Sequence, residues 1–301
     1  MNHNLVSGMS SNLICILGPT ACGKTKFAVR LAFENGGEII SADSRQVYRG
    51  MDIGTGKDLC EYTYNGVEIP YHLINIADPG SRYNIFEYQR DFHAAYNDII
   101  SRGNLPVLCG GSGLYIEAAT AGYQLPEVPP DPLLREELER ESSEELIKRL
   151  SAMKSLHNVS DTQSRKRLIR ALEIAIYQQQ NPSNSTEYPP IKTRFIGIDV
   201  GREERIKRID KRLKERLKGG MIDEAKALLD SGLKPEDLIY YGLEYKYVTL
   251  YITGEISYVQ MESRLSTAIH QFAKRQMTWF RGMERRGIKI EWVNPESRLV
   301  L

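Results

Sequence analysis

Residues 18–25 read GPTACGKT, and this stretch decides how the rest of the chain is read. Gly18, Gly23, Lys24 and Thr25 fit the phosphate-loop spacing G-x-x-x-x-G-K-[ST]. Across Gly18, Pro19, Thr20, Ala21, Cys22, Gly23, Lys24 and Thr25, backbone N–H groups can turn inward onto phosphate oxygens at a helix N-terminus. Lys24 adds a point charge, and the Thr25 hydroxyl can ligate Mg²⁺. Upstream, NLICIL is a short apolar run that reads as a strand. Downstream, Phe27, Ala28, Leu31 and Ala32 recur at helical spacing, and Gly36 reads as a C-cap. The loop therefore sits in the strand–loop–helix setting that it requires. By itself it suggests ATP and leaves open a kinase, a nucleotide switch, or a protein that borrows only the cradle.

Two further strands follow. EIISAD ends at Asp43, and LPVLCGGSG runs into a glycine turn after the helical stretch FHAAYNDIISRG. TRFIGIDV is a fourth strand. Strands alternating with helices imply a parallel, doubly wound α/β sheet of the phosphate-loop NTPase kind. After a proline-rich hinge, QLPEVPPDP, the texture becomes helical without strands until a second polar, proline-bounded loop, NPSNSTEYPP. Residues 123–190 thus read as an all-helical insertion, and residues 1–122 with 191–301 as the catalytic core with a helical C-terminal part.

With 41% hydrophobic and 26% charged residues, the chain reads as an ordinary soluble globular protein. A net charge of +1 gives no global sign of nucleic-acid binding, so any such surface must be local. Cys15, Cys22, Cys60 and Cys109 form no C-x-x-C pair and suit a reducing compartment rather than a disulfide framework or a zinc site. No run reaches membrane-spanning length, and the first residues lack a signal-peptide pattern, reading instead as a floppy lead-in. The expectation is a cytoplasmic, monomeric protein with no membrane partner.

Asp43, at a strand's C-terminal end, lies where open α/β sheets bind ligands. It can ligate Mg²⁺, act as a general base, or merely cap the next turn. Ser44, Arg45 and Gln46 continue it as a polar cluster, suited to reading base edges or phosphates or simply to solvent. Ser112, in the second glycine turn, can hydrogen-bond a phosphate or only begin a helix. Along residues 202–220, Ile206, Ile209, Leu213 and Leu217 form an apolar stripe beside Arg205, Arg208, Arg212 and Arg216. Those arginines suit either a solvated face with ion pairs or a pyrophosphate or RNA backbone. In residues 269–287, Lys274, Arg275 and Arg281 interleave with Phe272, Trp279 and Phe280, a mixture of core packing and possible base stacking. The tyrosines at 240, 241, 245, 247 and 251 read mostly as packing.

Taken in order, GPTACGKT, ADSRQVYRGMDIGT, GGSGLYI, RLIRALE, RIDKRLKERLKGGMIDEA and AKRQMTWFR resemble the signatures of the bacterial-type tRNA isopentenyltransferases (tRNA dimethylallyltransferases) over nearly the whole chain. The resemblance implies transfer of a dimethylallyl group from dimethylallyl diphosphate to N6 of the adenosine 3′ of the anticodon, in tRNAs reading codons that begin with U. Asp43 would then be the general base. The loop Gly18–Thr25 would hold the diphosphate, with Lys24, Thr25, Mg²⁺ and Arg208 or Arg212 stabilising the leaving group. Asp43, Ser44, Arg45, Gln46 and Ser112 would hold the flipped adenosine of the anticodon stem-loop. Lys166, Arg167, Leu168, Ile169 and Arg170 would contact tRNA from the helical insertion.

Several positions depart from the family pattern. Ser112 replaces a threonine but keeps the hydroxyl. GTGKD, with Gly56 and Asp58, stands for the usual GTAKP, and Glu244 stands where the family has a glycine. Ile269 and His270 replace a threonine and an arginine of a segment that helps line the family's tRNA site, which weakens the expectation of tRNA contacts there. His270 itself reads as a surface or helix-packing residue. Three other functions remain alongside: prenylation of free adenine nucleotides, a small-metabolite kinase, and a tRNA-binding paralogue with reduced activity. The helical insertion speaks against the first, the ADSRQVYRGMDIGT run against the second, and the intact Asp43 and phosphate loop against the third.

Overall fold

LICIL becomes β1 (Leu13–Leu17), buried at every residue because both faces of the strand are covered. Leu13, Cys15 and Leu17 face one apolar cluster with Phe92, Ile116 and Phe280, while Ile14 and Ile16 face another with Phe27, Ala28 and Leu31. The computed structural model describes residues 11–153, 164–181 and 188–299. The expected lead-in before residue 11, most of the polar loop near 182–187 and the end of the helical stretch past 153 lie outside those residues.

The phosphate loop leads into α1 (Lys24–Asn35), which ends on Gly36 in the left-handed conformation, φ 61°. Then come β2 (Gly37–Ser41), a hairpin of β3 (Thr63–Tyr64) and β4 (Val67–Glu68), and β5 (Tyr71–His72). The next helix, α2 (Ile85–Ser101), starts earlier than its apolar pattern suggested. A capping box fixes its start: Asn84 accepts from the N–H groups of Phe86 and Glu87, and Glu87 accepts from that of Asn84. β6 (Leu105–Gly110) and α3 (Gly113–Thr120) follow.

Residues Tyr123–Pro189 cluster as a compact unit of their own. They carry α4 (Pro132–Arg140), α5 (Ser143–Met153) and α6 (Arg165–Gln180). Asp131 caps α4, whose first residue is proline. The apolar face of each helix closes on the others through Leu138, Leu146, Leu150, Leu168, Ile169 and Leu172. Buried Glu173 gathers the polar groups. It accepts from the Asp131 N–H at 2.7 Å and from Arg135 at 2.8 and 2.9 Å, and pairs with Arg170. Leu168 and Ile169 are therefore core residues and cannot meet tRNA with their side chains; being apolar on a helix face, they are claimed by this small core.

Residues 1–122 and 190–301 form the other unit. β7 (Thr193–Ile198) is followed by α7 (Arg202–Lys218), α8 (Met221–Asp230), α9 (Pro235–Tyr240), α10 (Leu243–Ile252) and α11 (Tyr258–Arg285), then β8 (Ile290–Val293). The sheet has six parallel strands in the order β5-β2-β6-β1-β7-β8, two more strands than the sequence alone suggested. α7 buries Ile209, Leu213 and Leu217, whereas Ile206 is exposed and drops out of the expected stripe. A third core joins α7–α11 to the segment after β2 through Val47, Tyr48, Met51, Tyr241, Tyr245, Leu265 and Ile269.

Candidate active site

β2, β6 and β1 are adjacent in the sheet and parallel, so their C-terminal ends open on one edge. Asp43 leaves β2 there, Gly111 and Ser112 leave β6, and the phosphate loop leaves β1. Register places Ser41 beside Cys109 and Gly110 beside Leu17. At Gly110 a side chain would overlap the Ala42 backbone, and at Gly18 a Cβ would come within 2.6 Å of the Ile198 carbonyl oxygen. Glycine at both positions is what lets the strands and their loops approach this closely.

The Asp43 carboxylate accepts from the Arg45 N–H at 2.9 Å through Oδ1, the short Asx turn that also follows from its position after a strand. Oδ2 accepts no hydrogen bond from the described residues and remains available to a ligand. The Ser112 hydroxyl accepts from the Ser44 N–H at 3.3 Å, which ties the two strand-end turns together. Gln46 is more committed than a free base reader. Its amide donates to the Gly56 carbonyl at 3.1 Å and its oxygen accepts from Ser41 at 3.3 Å. Arg45 lies over the Tyr240 ring, 5.1 Å from the centroid, and Arg82 lies 5.3 Å from it. Tyr240 is exposed, unlike the buried Tyr241 and Tyr245, so it is not simply packing.

The segment from Asp43 to Asp58 is held from within the protein. Glu224 on α8 accepts from the N–H groups of Asp52, Ile53 and Gly54 at 2.8, 2.8 and 2.9 Å, and from the Tyr245 hydroxyl at 2.6 Å. Buried Lys57 donates to Asp52 at 2.6 Å, to Asn75 at 2.5 Å and to the Tyr48 carbonyl. Burial pushes the Lys57 ammonium down and Asp52 partly restores it. These anchors fix where Asp43 and Asp58 stand.

In the phosphate loop, Ala21 and Gly23 both adopt positive φ, 62° and 87°. The Cys22 side chain is fully buried, and burial raises its thiol, so only its backbone can serve a phosphate. Lys24 donates to the Pro19 carbonyl at 3.3 Å. A cleft of about 500 Å³ opens beside the loop, lined by Gly23, Lys24, Thr25, Lys26, Asp58, Glu61, Arg208, Lys211, Arg212, Glu215 and Arg216 among others. Arg205 instead pairs with Asp199 at 2.8 Å. Arg208 pairs with Glu204 at 2.8 Å, whereas Arg212 and Arg216 converge on Asp58 at 2.5 and 3.1 Å. With six cations against three carboxylates on its wall, the cleft suits a polyanion. A second cavity, of about 20 Å³, shares Ala21, Arg212 and Arg216 with the cleft and also touches Thr20, Glu244 and Ile269.

Among the described residues no cluster of three or more acidic, histidine or cysteine side chains could hold a metal. The Thr25 hydroxyl and the Glu61 carboxylate do share the cleft. That donor set fits Mg²⁺ when phosphate oxygens complete its shell, the usual way Mg²⁺ is held at a diphosphate.

Lys166 is exposed on α6, while Arg170 is drawn to Glu173 and to the Val128 carbonyl at 2.8 Å. Ile269 is buried on the small cavity, and His270 hydrogen-bonds Asp210 of α7 at 2.8 Å, a helix-packing role. Phe280 is core, whereas Phe272 and Trp279 are exposed; Trp279 donates to Glu117 at 2.9 Å. The sequence reading missed Gln276, Glu224 and Lys57. Each acts through polar partners far away in sequence, a pattern that becomes visible only once the packing partners are known.

A family model described as IPP transferase matches residues 46–283, and one described as Isopentenyl transferase matches residues 11–65. The chain is 60% identical over 282 residues to tRNA dimethylallyltransferase 1 of Porphyromonas gingivalis, covering 94% of this chain and 93% of the relative. It is 59% identical over 283 residues to tRNA dimethylallyltransferase 2 of Bacteroides fragilis, covering 94% and 92%. Among solved structures, the tRNA isopentenylpyrophosphate transferase of Bacillus halodurans superposes with a TM-score of 0.68 at 33% identity, covering 95% of this chain and 90% of that one. A eukaryotic dimethylallyltransferase acting on tRNA has the same fold, with a TM-score of 0.68 at 23% identity.

Proposed function

The chain belongs to the IPP transferase family, and on that premise we propose that it carries a dimethylallyl group from dimethylallyl diphosphate to N6 of the adenosine 3′ of the anticodon in tRNAs reading UNN codons. The observation that carries this reading is one sheet edge at which Asp43, with its open Oδ2, follows β2 and the phosphate loop, with its cation-lined cleft, follows β1.

The adenine amine attacks C1 of the prenyl donor. An N–C bond forms, the C–O bond to the diphosphate breaks, and pyrophosphate leaves. The N6 proton passes to Asp43 Oδ2 as the N–C bond forms. An arylamine is a weak nucleophile, so a placed carboxylate removes the cation that would otherwise develop on nitrogen. Lys24, Arg208 and Arg212 take up charge on the departing oxygens. When bound at Thr25 with the diphosphate, Mg²⁺ supplies further neutralisation of that charge. Arg45, Tyr240 and Ser112 receive the nucleotide, which must be unstacked because N6 is out of reach in an ordered anticodon loop. The separate helical unit supports a large acceptor, since a free nucleotide needs no second body to hold it. Lys166 and Arg167 would meet tRNA from that unit.

The test incubates the protein with dimethylallyl diphosphate, Mg²⁺ and an unmodified anticodon stem-loop and weighs the RNA. A prenyl mass on the RNA is expected. A prenyl mass on AMP but none on RNA moves the chain to the nucleotide-prenylating class, and ATP hydrolysis without prenylation moves it to the kinases.

A further inference from the structure

Two of the departures from the family pattern, Asp58 and Glu244, bracket one pair of arginines. Oδ2 of Asp58 lies 2.5 Å from Arg212 and 3.1 Å from Arg216, so one oxygen bridges two guanidiniums as a phosphate oxygen would. Gly56 makes the approach possible: at φ +69° it turns the chain, and a Cβ there would overlap the Arg216 guanidinium. Asp58 itself takes a left-handed conformation, φ 36°, uncommon for a residue with a side chain. Glu244 borders the same arginines from the small cavity, but burial raises its carboxyl and disfavours its charge. Asp58 goes the other way. Burial would raise it, yet the two arginines outweigh burial and hold it below the usual carboxylate range. Asp58 is therefore the counter-ion of the pair. Arg216 is 14% exposed, and a guanidinium so buried needs an anion beside it.

We propose that Asp58 is a built-in stand-in for the diphosphate: its carboxylate occupies Arg212 and Arg216 while the cleft is empty, gives them up to the incoming donor, and reclaims them as pyrophosphate leaves. This rests on the reading that the cleft takes a diphosphate. The arginines are then never left bare, and diphosphate binding is an exchange of one anion for another. Asp58 acts through the arginines and is a positioning residue that weakens diphosphate affinity and speeds product release.

The experiment titrates inorganic pyrophosphate into the wild-type protein, D58N and D58E by calorimetry, with prenylation kinetics alongside. D58N is expected to bind pyrophosphate about tenfold tighter, because a charge-assisted competitor is lost. Its KM for dimethylallyl diphosphate and its inhibition constant for pyrophosphate should fall together. D58E, which keeps the charge, should stay close to wild type. A thermal melt checks folding, and D58S is the second neutral variant. Weaker binding by D58N would mean that Asp58 braces the arginines for the ligand, and equal binding by all variants would mean that it competes with nothing; either result overturns the proposal. If neither the wild type nor D58N binds pyrophosphate, the cleft reading itself fails and the proposal goes with it.

Discussion

The side-chain oxygen of Gln276 on α11 accepts a hydrogen bond from the backbone N–H of Thr20, 256 residues away, at 2.8 Å. The same amide donates to the Gly111 carbonyl at 3.0 Å. One buried side chain thus couples the phosphate loop to the turn that carries Ser112. Gln276→Ala leaves both backbone groups without this partner, a cost of about 1–3 kcal/mol. Urea unfolding should show that loss, and KM for dimethylallyl diphosphate should rise more than kcat falls. An unchanged midpoint together with an unchanged KM would show that the loop holds its shape unaided.

Asp43→Asn separates two roles that the carboxylate combines. An asparagine oxygen can still accept from the Arg45 N–H, now at 2.9 Å, so the turn should persist. It cannot take a proton. Prenyl transfer should drop by about 10²- to 10⁴-fold, the usual worth of a general base. Binding of the anticodon stem-loop should be little changed. Near-native turnover in a single-turnover assay would remove Asp43 from the role of base.

Local chemistry was legible in the sequence. The phosphate loop, the Gly36 cap and the four core strands follow from short-range pattern, and each is present. β5 and β8 were not legible, because two and four residues are too few to show a period. The partners of the cleft were not legible either. Asp58 and Arg212 are 154 residues apart, and Glu224 and Asp52 are 172 apart. No spacing rule links such positions; the sheet order and the third core bring them together. Leu168 and Ile169 went astray for a related reason. A family contact run names a stretch of helix, and only the packing of that helix says which of its side chains face outward.

Glu38 makes the core unit sensitive to acid. The residue is 2% exposed, and it bonds His72 at 2.7 Å, Asn104 at 2.6 Å and Arg102 at 3.1 Å. Burial alone would raise its carboxyl, but these partners outweigh burial and lower it. A carboxyl lower in the folded than in the unfolded state contributes stability that is fully present above the unfolded value and lost as pH falls through the folded one. Stability should therefore decline below about pH 4.3, the ordinary glutamate value. Glu38→Gln should be less stable at neutral pH and show a shallower decline on acidification. Parallel acid limbs for the two proteins, measured by urea unfolding across pH, would show that Glu38 is not a source of that slope.

Tyr240 carries a prediction about RNA. Its ring is exposed, with the Arg45 guanidinium 5.1 Å and the Arg82 guanidinium 5.3 Å from its centroid, and Arg45 stands two residues after Asp43, while its neighbour Tyr241 is anchored by a 2.6 Å bond from the Gly80 N–H. The chain beside the ring is thus anchored, while the ring itself stays open to solvent. An exposed aromatic beside two cations suits an unpaired base and its phosphate. A stacked base is worth about 1–3 kcal/mol, so Tyr240→Ala should weaken binding of the anticodon stem-loop by about tenfold or more. Pyrophosphate binding should not change, because Tyr240 does not line the cleft. Arg45→Ala should also lower the dependence of RNA affinity on salt by about one counter-ion. If Tyr240→Ala binds the stem-loop as tightly as wild type at several salt concentrations, the ring serves packing after all, as its sequence neighbourhood suggested.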